Sequence, residues 1–160
     1  MTQALLRTFD FLREVMPPEP SWRVIGSGAL WLSGVPVVPQ PEDVDVVAPF
    51  EVIEGVRRAL KVSLPVASKP DERFRSRPFF QYRPDGGVIV DFMGDLDVFG
   101  VEWHRLRFES CVSAGGIFLP DLNEQVAILR RFGRPKDLQR IEAVQVFLSG
   151  DQADRLVADF

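Results

Sequence analysis

The 160-residue chain has one cysteine, one histidine, no excess of positive charge and no long apolar run, and each scarcity removes a class of explanation. A lone Cys111 cannot form an internal disulfide, which suits a reducing compartment. With His104 as the single histidine there is no zinc cluster to assemble. Lys and Arg number 19 against 23 Asp and Glu, and the resulting net charge of -4 argues against non-specific binding to duplex nucleic acid. It leaves room for a nucleotide that arrives with its own metal. No stretch is long and apolar enough to span a bilayer. The opening "MTQALLRTFDFLREVMPPEP" also lacks the unbroken apolar segment of a secretory signal. The expectation is a cytoplasmic protein with no membrane partner. What is present, 46% hydrophobic and 26% charged residues, is the composition of an ordinary globular chain, and the length suits one domain over 1–160.

Leu5, Phe9, Leu12 and Met16 recur at helical spacing, so residues 2–16 read as an amphipathic helix, ended by Pro17 and Pro18. "WRVIG" reads as a short strand and "SGALWLSG" as a helix with Ser27 at its N-cap, stopping near Gly34. A proline-punctuated loop leads to the strand "DVDVVA". "FEVIEGVRRAL" follows as helix and "VSLPVA" as strand. "RFRSRPFFQYR" and "GVIVDFM" flank "PDGG" as a hairpin, and further short strands fall in "HRLRFES" and "GGIFLP". "LNEQVAILRRF" and "KDLQRIEAVQVFL" are helices on either side of a Gly133-Arg134-Pro135 break. The order predicts a mixed α/β or α+β domain, not a doubly wound parallel sheet.

The chemistry begins at "EDVDVV". On a strand Asp43 and Asp45 share one face, their Cα atoms roughly 7 Å apart at about 3.3 Å of rise per residue. Two such carboxylates can hold a hard cation through oxygen ligands; equally, two acids on an exposed strand face can be solvated surface. Asp91 interrupts a second apolar strand, "VIVDFM", and poses the same question. If the strands are neighbours, all three acids converge on one metal site; otherwise Asp91 marks an open strand end. "VIGSGAL" runs a strand through Gly26-Ser27 into a helix, where glycine permits close backbone approach and free N–H groups favour phosphate. A plain capped turn reads the same way. Arg73, Arg75 and Arg77 alternate onto one strand face, to guide an anionic substrate or to protect an edge.

The succession of strand, Gly-Ser, helix, loop, Asp-x-Asp strand and a later single Asp resembles the nucleotidyltransferase superfamily that includes DNA polymerase beta, in its minimal form. Antibiotic-modifying enzymes and toxins of abortive-infection type belong to the same superfamily. The resemblance covers roughly Trp22 to Val146, and "FGRPKDLQRIEAV" is similar to an Arg-x-Lys-Asp segment of small members. It implies the nucleotidyltransferase fold, a mixed β-sheet flanked by helices. Asp43, Asp45 and Asp91 would be the catalytic acids that hold Mg2+ or Mn2+ against a nucleoside triphosphate. Gly26 and Ser27 would grip the triphosphate. Lys136 would contact phosphate or stand solvated at a helix start. The reaction implied is transfer of a nucleoside monophosphate to an acceptor hydroxyl on a small molecule, a tRNA or a protein. The chain departs from the pattern at Arg140, where many relatives carry an acid, and in a long loop between Ser27 and Asp43. A haloacid-dehalogenase phosphatase also uses Asp-x-Asp, but "DVDVVAPF" offers no polar residue soon after it, and glycosyltransferases with that motif are usually much longer. The rival from another class is a non-catalytic module of the same fold, such as a toxin–antitoxin component acting with a partner protein or as a homo-oligomer.

Overall fold

The computed structural model describes residues 2–63 and 71–158. Helix α1 (Thr2–Val15) buries Leu5, Phe9 and Leu12, the stripe that its spacing predicts. There follow β1 (Arg23–Ile25), α2 (Gly26–Leu32), β2 (Asp43–Ala48) and α3 (Phe50–Ala59). The middle of the chain holds β3 (Phe74–Arg75), β4 (Phe79–Tyr82), β5 (Ile89–Gly94), β6 (Asp97–Phe99) and β7 (Trp103–Arg105). Strands β8 (Val112–Ala114) and β9 (Ile117–Leu119) lead into helices α4 (Leu122–Phe132) and α5 (Pro135–Ala158). Most of the strand expected at "VSLPVA" lies outside the described residues.

The central sheet has the order β1-β2-β5-β4, with β2 and β5 parallel and both outer strands antiparallel to their neighbours. This is the mixed sheet flanked by helices that the resemblance implied. Strand alternation gives the sheet two different faces. On one, Val24, Val44, Val46, Phe80, Val90 and Phe92 join the α1 stripe and Ile53 and Val56 of α3 in one buried cluster. Thr8 fastens that side: its hydroxyl donates to the Ala4 carbonyl (2.8 Å) and accepts from the Val88 amide (2.9 Å) just before β5. On the other face Ile25 and Val47 pack with Leu96, Ile128 and Phe132. A third cluster, centred on Leu30, Leu129, Ile141 and Val144, joins α2 to α4 and α5.

Two local expectations need correction. Ser27 does not cap α2: the helix starts at Gly26, its N-cap is Ile25, and no side chain caps it. The chain passes from β1 straight into the helix through Gly26 at φ 70, which leaves Ser27 inside the first turn and 7% exposed. Nor do Arg73, Arg75 and Arg77 share a strand face. Strand β3 is only two residues long, so the alternation does not persist. Arg73 donates to the Phe132 carbonyl (2.9 Å), Arg75 to Asp97 (3.1 Å), and Arg77 lies over the Phe50 ring.

Candidate active site

Register brings the acids together. In the parallel ladder of β2 and β5, Asp45 stands directly opposite Asp91, while Asp43 stands opposite Ile89. Paired residues of adjacent strands point to the same side, so all three carboxylates project from the face opposite the α1 cluster. Asp43 is exposed; Asp45 and Asp91 are half-buried. The predicted neighbourhood of the two acid-bearing strands is therefore found.

Electrostatics mark the same place. Burial, then the charges of Asp43 and Asp91, push the Asp45 carboxyl up from 3.8 to about 7, and Arg134 pulls in the opposite sense. Asp91 is also raised, by burial first, against the Gln81 hydrogen bond that favours its ionised form. The contact between the two carboxyls raises Asp45 further and works against the rise in Asp91, so they titrate as a pair. Gln81 sits opposite Asp91 on β4, and its Nε2 donates to Asp91 Oδ1 at 2.7 Å. Nothing in the sequence singles out this glutamine, because its importance exists only once the β4–β5 register is known.

Gly26 explains itself here. Its φ of 70 lies in the left-handed region, and a Cβ at this position would come 3.1 Å from Asp45 Oδ2. The Gly-Ser turn thus touches the Asp-x-Asp strand through the one residue that has no side chain. Ser27, Asp43 and Lys136 line a common cavity of about 300 Å3, whose other wall is the loop of Pro36, Pro39 and Pro41. Lys136 is exposed at the rim. Behind it, Asp137 is fully buried and accepts from the Arg134 backbone N–H (3.1 Å) and from Nε and Nη2 of the same residue (2.6 and 3.0 Å). Arg140 comes within 3.6 Å of this carboxylate, so it faces an acid where the resemblance led one to expect an acid in its own position.

A divalent cation fits this donor set in kind. The ligands are carboxylates alone, the type that hard cations prefer, and a cation would offset the repulsion that raises Asp45. As the side chains stand, no group of three or more His, Cys, Asp or Glu among the described residues is arranged to hold a metal ion. The arrangement offers a two-carboxylate clamp, Asp45 with Asp91, and Asp43 alongside.

Comparison with known proteins adds the fold. No family model matches the chain, and no curated protein matches it. Among solved structures, the chain is similar to a candidate nucleotidyltransferase from Thermotoga maritima, with a TM-score of 0.65 and 24% sequence identity. The match covers 91% of this chain and 92% of the other. The chain therefore has that protein's fold, the nucleotidyltransferase type anticipated from the order of its motifs.

Proposed function

We propose that the protein is a metal-dependent nucleotidyltransferase that moves a nucleoside monophosphate from a nucleoside triphosphate to an acceptor hydroxyl. The observation that carries this reading is the register of the parallel strands, with Asp45 opposite Asp91 and Asp43 on the same face. The shared fold supports it.

In this reading the acceptor oxygen bonds to the α-phosphorus, the bond from that phosphorus to the bridging oxygen breaks, and pyrophosphate leaves. The acceptor's proton passes to the Asp91 carboxylate, which the Gln81 amide holds at 2.7 Å. Ser27 and Lys136, on the cavity beside Asp43, hold the phosphates. Gly26 lets the backbone reach them without closing on Asp45. Magnesium or manganese, held by Asp43, Asp45 and Asp91, would supply charge stabilisation at the attacking and leaving oxygens.

Calorimetric titration with ATP, GTP, CTP and UTP tests the reading. One nucleotide is expected to bind with magnesium, and binding is expected to vanish in EDTA and in Asp43→Asn. Folded protein that binds none of the four would overturn it. The second reading is the non-catalytic module of a toxin–antitoxin type. It expects indifference to Asp43→Asn.

A further inference from the structure

Two cavities flank the Asp-x-Asp segment, and their linings differ in kind. The one against Asp43 carries Ser27, Lys136 and Arg140. The one against Asp45, about 560 Å3, is walled by Phe74, Phe79 and Phe132, with Gln81 and Arg134 beside them. Phe74 and Phe132 meet edge to face, their centroids 4.8 Å apart. The Arg134 guanidinium lies over both rings, 5.0 and 5.5 Å from the centroids, while Asp137 holds its position from behind. Phe79 opens β4, two residues before Gln81 and on the same face. It is half-buried and, among the described residues, belongs to none of the three hydrophobic clusters.

Position separates the two cavities further. Gln81 both lines the aromatic cavity and holds Asp91, the acid to which the proposed reaction assigns the acceptor's proton. Ser27 and Lys136 lie on the other side, beside Asp43. Resting on the nucleotidyltransferase reading, we infer that the cavity walled by Phe74, Phe79 and Phe132 is the acceptor site, and that it takes a planar aromatic or heteroaromatic ring bearing a hydroxyl nearby. Phe79, the one of the three rings that no hydrophobic cluster uses, supplies a flat apolar face of the kind on which rings stack, with a guanidinium close by. The ring could come from the acceptor or be the base of the donor itself, and the experiment distinguishes the two.

The full chain is loaded with magnesium and the α,β-methylene analogue of whichever nucleotide it binds. Adenosine, cytidine and tyrosinamide are then titrated by ligand-observed NMR and calorimetry. At least one ring probe is expected to bind at a single site alongside the analogue. Phe79→Ala should weaken that probe about tenfold or more, leaving analogue affinity within about twofold. Phe79→Leu keeps apolar volume without a flat face and should show the same ordering if the alanine variant fails to fold. Competition between probe and analogue would overturn the inference by making the cavity the donor's base pocket. So would the absence of binding by all three probes, or binding indifferent to both substitutions. If the analogue itself does not bind, the nucleotidyltransferase reading falls and the acceptor site with it.

Discussion

Asp45 shows what a single side chain can reveal. Its folded-state carboxyl is raised from 3.8 to about 7, chiefly by burial. An acid raised in this way holds its proton longer when folded, so its contribution to stability is fully present at low pH and is lost as the pH rises through that window. Metal-free protein should therefore melt at falling temperature from about pH 4 to about pH 7, magnesium should restore the loss at the upper end, and Asp45→Asn should flatten the profile. Circular dichroism melts would read all three, and a profile that rises with pH would contradict the assignment. Gln81 acts in the opposite sense on Asp91. In Gln81→Ala the Asp91 carboxyl should titrate at higher pH, followed by carbon NMR of the carboxyl, and the acid limb of any pH–rate profile should move with it. The three acids are legible in the sequence because a charge inside an apolar strand is conspicuous. Gln81 is not, since a glutamine on a half-exposed strand is ordinary until its neighbour across the ladder is known.

At the scale of elements, α5 begins with a carboxylate that serves two purposes. Asp137 satisfies the Arg134 backbone N–H at the helix start and fixes the guanidinium that stacks on Phe74 and Phe132. Asp137→Ala should cost about 3 kcal/mol in urea unfolding, because it removes a cap and strands a half-buried guanidinium beside Arg140. A loss under about 0.5 kcal/mol would mean that solvent replaces the carboxylate freely. Some boundaries are plain in the sequence because their chemistry is local. Gly133, at φ 66, ends α4, and Asp121 caps its start by accepting from the Glu124 amide. The start of α2 is not plain, since Gly-Ser reads as a capped turn unless the left-handed glycine is seen. Strands β3 and β6, two and three residues long, are too short for a period to show, and their pairing comes from contacts distant in sequence.

Over the whole molecule the central sheet separates stability from chemistry. Val44, Val46, Val90 and Phe92 face the α1 cluster, while Asp43, Asp45 and Asp91 alternate with them on the opposite side. Phe92→Ala should therefore destabilise the protein by about 3–5 kcal/mol. Nucleotide affinity, measured at a temperature where the variant is still folded, should stay close to that of the parent; a parallel loss would show that the two faces are mechanically coupled. The same architecture fixes an order of events during synthesis. Helix α1 is made early, yet the groups that secure it arrive late: the Val88 amide for Thr8, 80 residues on, and the Gly115 carbonyl for Arg13, 102 residues on. Until those segments leave the ribosome, the stripe of Leu5, Phe9 and Leu12 has only the β1 and β2 side of the sheet to cover it. The nascent chain thus carries this apolar helix face incompletely covered until the Val88 and Gly115 segments have been made, and a holding chaperone would find its natural client there.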